Sequence, residues 1–176
     1  MKSKVLALIL LCGAASLGAK VKLPALVGDN MILQQQTEVK LWGTAAPEAE
    51  VRVTPSWNGQ TMTCRADKDG GWTLAVETPA AGYTPYEITF DDGEKTTLKN
   101  ILIGEVWLAS GQSNMEMPLK GFAGCCIMNG ADDIIVSAEN KGVRMFTVPK
   151  HQTYELQTDC KGSWNISSIE TAPDFS

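Results

Sequence analysis

The chain has no excess of basic residues, since 15 Lys and Arg stand against 20 Asp and Glu and the formal net charge is −5. Binding to a phosphate backbone needs a positive surface, which argues against nucleic acid as a partner. Histidine occurs once and cysteine five times, at positions that fit neither a metal-ligand spacing nor a disulfide-built fold. We therefore expect no metal and no other cofactor. Hydrophobic residues make up 44% of the 176 residues, enough for a core of ordinary apolar packing.

The N-terminal region is hydrophobic but too short to span a membrane. Its uncharged run, Val5–Ala19, has 15 residues, whereas a spanning helix needs roughly 18 or more. The run follows Lys2 and Lys4 and ends in small residues, which is typical of a secretory signal peptide. We predict that residues 1–19 are removed, that no membrane anchor remains, and that the protein is exported to the periplasm or the extracellular space.

Export permits disulfides, but their pairing stays open. The cysteines beyond the signal peptide are Cys64, Cys125, Cys126 and Cys160. The adjacent Cys125 and Cys126 would be strained if they were bonded to each other, because a disulfide joins Cα atoms about 5.5 Å apart. The two interpretations are a bond from one of them to Cys160, and four reduced, partly buried thiols.

Residues 20–100 are typical of an all-β domain. Short β-type runs alternate with turn signals such as Asn58-Gly59 and Asp92-Gly93, and no helical periodicity is sustained. The seven strand candidates are Met31–Gln34, Glu38–Gly43, Glu50–Trp57, Gln60–Ala66, Trp72–Glu77, Tyr86–Phe90 and Lys95–Ile101. The pattern predicts an all-β sandwich, either immunoglobulin-like or jelly-roll.

The pattern changes after Asn100. Ile101–Ser110 is almost continuously apolar, as in a strand that is buried on both faces of a parallel sheet. A helix candidate around Ala131–Asn140 and an apolar run at Val143–Val148 complete a βαβ unit. We predict an incomplete α/β domain over residues 101–176, because the residues after the first strand are too few for a parallel sheet covered on both faces.

Chemistry is predicted where this apolar strand ends, in Gly111-Gln112-Ser113-Asn114. Nucleophiles and ligands in α/β sheets lie at the carboxyl ends of strands. Ser113 is the candidate nucleophile, Gly111 permits a sharp turn, and the Ser113 amide is placed to face a developing oxyanion. Gly111, Gln112 and Asn114 form the predicted nucleophile and oxyanion loop. The structural alternative is a loop serine that caps a turn, with Asn114 making a turn hydrogen bond.

The segment Glu105–Pro118 resembles the nucleophile block of the sialate O-acetylesterase family, a carbohydrate-esterase branch of the SGNH hydrolase superfamily. The resemblance extends to Gly142–Pro149 and to the strand-rich region before the block, as the N-terminal part of a family member. It implies a metal-free serine esterase that removes acetyl groups from the hydroxyls of an acetylated sugar, such as sialic acid or another glycan. In the family a serine attacks, a histidine held by an aspartate takes its proton, and further donors bind the oxyanion. Only the serine maps here, onto Ser113.

The resemblance leaves the general base unassigned. The single histidine, His151, has no Asp three residues before it, whereas the family carries an Asp-x-x-His element near the end of a longer domain. We expect the base, its aspartate and further oxyanion donors to lie beyond residue 176, and the chain to be the inactive N-terminal part of an SGNH-type esterase. The alternatives are an esterase of acetylated polysaccharide such as xylan, and a non-catalytic sugar-binding β-sandwich module.

Overall fold

The computed structural model describes residues 20–175, so the predicted signal peptide lies outside the described residues. Within this range the chain forms strands β1 to β9 and the helix α1. Their bounds are β1 Ile32–Gln34, β2 Glu38–Thr44, β3 Glu50–Pro55, β4 Met62–Arg65, β5 Gly71–Glu77, β6 Gly82–Asp91, β7 Lys95–Gly104, α1 Gly130–Glu139, β8 Arg144–Phe146 and β9 Trp164–Ile166.

Five of the strands form one mixed sheet in the order β1-β7-β6-β3-β4. The neighbours from β7 to β4 pair antiparallel. β1 instead lies parallel to the last residues of β7, with Ile32 opposite Leu102. β2 and β5 form a separate antiparallel ribbon, in which Glu38 lies opposite Glu77. The first strand of the chain and the seventh are therefore direct neighbours.

The core joins the five-stranded sheet to the β2–β5 ribbon, because buried residues from both belong to one cluster. In β5, Trp72, Leu74 and Val76 are buried while the residues between them are exposed. This period of two is what a strand with one packed face and one wet face requires. Trp72 packs against Phe90 of β6, with ring centroids 5.8 Å apart. The alternation in the sequence thus builds the core directly.

The prediction of an all-β sandwich followed by an incomplete α/β domain is wrong. The seven predicted strands form close to their expected places, but they build a curled mixed sheet and one ribbon, without a clear sandwich. Ile101–Ser110 is not a single strand either. Residues 101–104 are the buried end of β7, while residues 105–110 are exposed and belong to no strand. The apolar run reflects the place of β7 between β1 and β6, and not the start of a second sheet.

The residues after β7 form a helix and a short ribbon instead of a parallel sheet. α1 starts one residue before the predicted helix, and β8 lies inside the predicted apolar run. β8 pairs antiparallel with β9, with Met145 opposite Asn165. β7 runs through residue 100 without a break, and the division of the chain at residues 100 and 101 stays a prediction. No helix between residues 20 and 175 is long and apolar enough to cross a membrane.

The four cysteines of the described range are free thiols, as in the interpretation without disulfides. Cys125 and Cys126 are exposed, and Cys64 and Cys160 are partly buried. Burial raises the pKa of the Cys64 thiol. The pKa of Cys160 is also raised, mainly by burial and further by the negative charge of Asp159. Both partly buried thiols are therefore less reactive than ordinary cysteines.

Candidate active site

A hydrogen-bonded cluster holds the chain where it leaves β7. Gln34 donates from Nε2 to Oε2 of Glu105 at 2.9 Å, and Gln35 donates from Nε2 to Oε1 of Glu105 at 2.6 Å. The side-chain oxygen of Gln34 accepts the Val106 N–H at 2.9 Å. The two amide donors, Gln34 first, lower the pKa of Glu105 below its usual range. The segment that leads to Ser113 therefore starts from a fixed point.

Ser113 opens a tight turn on the surface of the molecule. The turn spans Ser113–Met115 and none of its residues is buried. The Met115 N–H donates to the Gln112 carbonyl at 2.9 Å, and the Glu116 N–H donates to the Ser113 carbonyl at 3.2 Å. The N–H groups at the start of such a turn have no acceptor within it. The turn thus presents the Ser113 hydroxyl and its own first N–H on an accessible surface.

The predicted loop residues are brought together only in part. Gly111, Gln112 and Ser113 line a groove of about 510 Å³, whereas Asn114 does not line it. The backbone at Gly111 passes close to the turn, since a Cβ added there would lie 2.7 Å from Cγ of Met115. A side chain at position 111 would therefore force Met115 to move. Asn114 lies on the turn but outside the groove.

Charged side chains face the same groove. Glu116 and Lys150 form an ion pair there, and Asp174, which pairs with Lys120, also lines it. Exposed pairs of this kind contribute about 0–1 kcal/mol to stability. Their relevance is therefore chemical, because they offer a polar substrate one cation and two carboxylates near Ser113.

The single histidine does not line the groove of Ser113. His151 is exposed and lines a neighbouring groove of about 560 Å³ together with Asp159 and Cys160. Across residues 20–175, no group of three or more His, Cys, Asp and Glu side chains is arranged to hold a metal ion. The described residues thus present a serine without an imidazole in its groove.

The apolar residues before the serine are exposed. Trp107 is 86% exposed and Leu108 is 93% exposed, whereas the sequence predicts a buried strand there. Trp107 lines a third groove, of about 610 Å³, together with Tyr83 and Arg144. Ala109 borders both this groove and that of Ser113. An apolar surface therefore adjoins the candidate nucleophile.

The sequence gives little sign of the hydrogen bonds that Gln34 and Gln35 make to Glu105. Gln34 and Gln35 precede Glu105 by 71 and 70 positions, so no local pattern links them to it. The one available signal is the Glu105 carboxylate itself, which interrupts the apolar run Ile101–Ser110. If such a run is buried, a carboxylate within it needs polar partners. That signal predicts a partner for Glu105 without indicating which residue it is. Lys150 carries no comparable signal.

The chain resembles known proteins in sequence and in structure, although no family model matches it. It is 27% identical over 175 residues to sialate O-acetylesterase of Rattus norvegicus, covering 91% of this chain and 31% of the relative. The human sialate O-acetylesterase is 29% identical over 161 residues, covering 85% of this chain and 29% of the relative. A crystal structure of a carbohydrate acetylesterase from Xanthomonas citri matches with a TM-score of 0.79 and 31% identity, over 88% of this chain and 34% of that one.

These similarities relate the chain, in sequence and in fold, to carbohydrate esterases. Within that class, the curated relatives named sialate O-acetylesterase, at 27–29% identity, confirm the resemblance to that family seen in the nucleophile block. The similarity is consistent with the SGNH hydrolase superfamily. The chain spans about a third of the length of the relatives that it matches.

Proposed function

We propose that this chain supplies the nucleophile of a carbohydrate O-acetylesterase, and that Ser113 is that nucleophile. The observation that carries the proposal is the exposed Ser113 turn in its groove, within a chain whose similarity to carbohydrate esterases covers 88% of its length in the structural comparison. The substrate is an acetylated sugar, either sialic acid or another glycan. The protein acts after export, in the periplasm or outside the cell.

The reaction follows from ordinary serine chemistry. Oγ of Ser113 attacks the carbonyl carbon of the acetyl ester while a base takes the hydroxyl proton, and the carbonyl oxygen becomes an oxyanion. The N–H groups of the Gly111–Ser113 loop are the backbone donors that we assign to that oxygen. The bond to the sugar oxygen then breaks, the sugar leaves as an alcohol after taking up a proton, and water hydrolyses the acetyl-serine to acetate and free enzyme.

The proposal assigns no catalytic role to His151. An imidazole base must lie within hydrogen-bond reach of the serine, and His151 lines the neighbouring groove with Asp159 instead. We infer that residues outside the described range provide the base and the further oxyanion donors. Residues 20–175 alone would then be a poor esterase, and fluorophosphonate labelling of Ser113 in this chain would be slow. Rapid, Ser113-dependent labelling of the isolated chain would overturn that inference.

The test measures acetate release from an acetylated sugar by the natural full-length protein. Ser113→Ala should lower kcat by at least about 10³-fold, because the nucleophile is lost. Ser163→Ala is the matched control, since Ser163 is exposed and lies in neither groove. His151→Ala should leave kcat within about twofold of wild type. Unchanged acetate release by Ser113→Ala would refute the proposed nucleophile.

A further inference from the structure

We propose that Gln34, Gln35 and Glu105 are positioning residues that fix the segment carrying Ser113. The three side chains, which we name the Glu105 cluster, touch neither Ser113 nor its groove. They hold the chain at its exit from β7, eight positions before the serine. The effect of these residues on catalysis rests on the proposed function of Ser113. Their structural role in fixing the segment does not, and the structural role and the catalytic effect are tested separately.

The polar atoms of the cluster complement one another. Both carboxylate oxygens of Glu105 accept an amide N–H, one from Gln34 and one from Gln35. Both amide oxygens are also used, because that of Gln34 accepts the Val106 N–H at 2.9 Å and that of Gln35 accepts the Ala81 N–H at 2.8 Å. Each glutamine is thus oriented in one sense only, with its oxygen on a backbone donor and its nitrogen on the carboxylate.

The glutamines are themselves fixed by the sheet. Gln34 ends β1, and its carbonyl accepts the Thr78 hydroxyl at 2.7 Å. The Gln35 N–H donates to the Gly104 carbonyl at 2.8 Å. The cluster therefore ties the end of β1, the connection before β6 and the end of β7 to the first two residues of the serine segment. A site held by rigid elements in this way is more sharply positioned than one on a free loop.

The segment between the cluster and the Ser113 turn has no other anchor of this kind. The backbone N–H groups of residues 107–112 make no hydrogen bond to the backbone or side chains of the described chain. The next anchors lie beyond the turn, where Lys150 pairs with the Glu116 carboxylate and the Leu119 N–H donates to the Phe175 carbonyl at 2.9 Å. The direction in which Ser113 is presented therefore depends on the cluster at one end of the segment and on Glu116 and Leu119 at the other.

The sharpest test exchanges the acceptor and one donor. Glu105→Gln replaces one acceptor oxygen by an NH₂ group, which then faces the NH₂ group of a glutamine. Two donors meet, and one hydrogen bond of the cluster is lost. Adding Gln34→Glu restores the complementarity, because the new carboxylate accepts the N–H groups of residue 105 and Val106, while the new amide oxygen accepts Gln35. The double variant keeps the net charge of the wild type. Glu87→Gln, on an exposed position of β6, is the control for the loss of one carboxylate.

The first readout is amide hydrogen exchange in the full-length protein. Glu105→Gln should raise exchange about tenfold at Val106, and also at Met115 and Glu116 in the Ser113 turn. Amides of β3 and β6, and all amides of Glu87→Gln outside position 87, should exchange as in wild type. The double variant should return all three amides to within about twofold of wild type. Wild-type exchange at Met115 and Glu116 in Glu105→Gln would overturn the positioning role.

The second readout is steady-state kinetics on an acetylated sugar. Glu105→Gln should lower kcat with KM unchanged, and the double variant should recover kcat, because the cluster acts through the placement of Ser113. Altered exchange with an unchanged kcat would overturn the catalytic consequence. If wild type releases no acetate, the proposed function fails while the exchange data still decide the structural role. If Glu105→Gln does not fold, the double variant decides the structural role. A folded double variant with wild-type exchange supports the positioning role of the cluster, and an unfolded double variant overturns that role.

Discussion

Arg144 and Asn100 are joined by a hydrogen bond between β8 and β7, in which Nη2 of Arg144 donates to Oδ1 of Asn100 at 3.1 Å. Asn100 lies in β7 and Arg144 begins β8. The amide nitrogen of Asn100 donates in turn to Oδ1 of Asn30 at 2.7 Å. Asn100 also adopts a left-handed backbone, with φ of 59°. One residue thus links the five-stranded sheet to the β8–β9 ribbon.

Asn100→Ala should destabilise the protein by about 3–4 kcal/mol. The substitution removes both side-chain hydrogen bonds, at about 1 kcal/mol each, and places a Cβ-bearing residue without a polar side chain in the left-handed region, at about 1–2 kcal/mol. Asn100→Gly loses the hydrogen bonds but tolerates the backbone, so it should be about 1 kcal/mol less destabilising than alanine. Urea unfolding measures both variants. Equal stability of the two would show that the backbone conformation costs nothing there.

Phe90→Ala should cost about 3–5 kcal/mol, since it empties a fully buried site beside Trp72. Tyr83→Ala offers the matched aromatic truncation on the same strand, because Tyr83 is 78% exposed. It should change stability by no more than about 0.5 kcal/mol. The measurement is the urea midpoint at constant m-value. Comparable losses for the two variants would place the core elsewhere than between β6 and β5.

Glu105 should titrate below the ordinary glutamate pKa, because Gln34 and then Gln35 donate to its ionised form. Since the pKa is lower in the folded state, the cluster contributes stability above the unfolded pKa of about 4.3. That contribution is lost as the pH falls through the folded pKa. The pKa of Glu105 is measured from its carboxyl chemical shift during an acid titration. Gln35→Ala should raise the pKa of Glu105 towards its usual value, and an unchanged pKa would contradict the assigned hydrogen bond.

Cys64 should react with a disulfide reagent at pH 8 about tenfold more slowly than Cys125. Burial raises the pKa of Cys64 and so lowers its thiolate fraction, while Cys125 is exposed. Variants in which Cys64 or Cys125 is the one thiol left among Cys64, Cys125, Cys126 and Cys160 allow each rate to be measured separately. In denaturing urea the two rates should converge. A native Cys64 that reacts as fast as Cys125 would show that its burial is not maintained in solution.

Local patterns predicted the strands well and their arrangement poorly. Alternation in Trp72–Glu77 places β5 and its buried face, because the period of two is a local property. The pairing of β1 with β7, by contrast, brings Ile32 beside Leu102, and no local pattern encodes a contact over that separation. Gly59 and Gly93 take positive φ as turn residues should, yet residues 56–61 and 92–94 form connections longer than two-residue turns.

The sequence singles out Ser113 as a candidate nucleophile, which stays a prediction, but it does not single out the residues around it. Ser113 follows a buried strand end and a glycine, which is enough to single it out. The apolar run Ile101–Ile103 suggests a second, parallel sheet, but it belongs to β7 of the mixed sheet. A strand with a neighbour on each side gives the same apolar run in either kind of sheet. Glu105, which ends that run, was visible as an interruption. Its partners Gln34 and Gln35 give no such signal, because they precede it by 71 and 70 positions in the sequence.

If Ser113 is the nucleophile, it carries the acetyl group during the reaction. The most direct measurement mixes natural full-length protein with an acetylated sugar, quenches the reaction in acid during turnover, and locates acetylated peptides by mass spectrometry. We expect an acetyl group on the peptide that contains Ser113, and none on that peptide in Ser113→Ala. An acetyl group on another residue, or acetate release at the wild-type rate by Ser113→Ala, would contradict the assignment of Ser113 as the nucleophile.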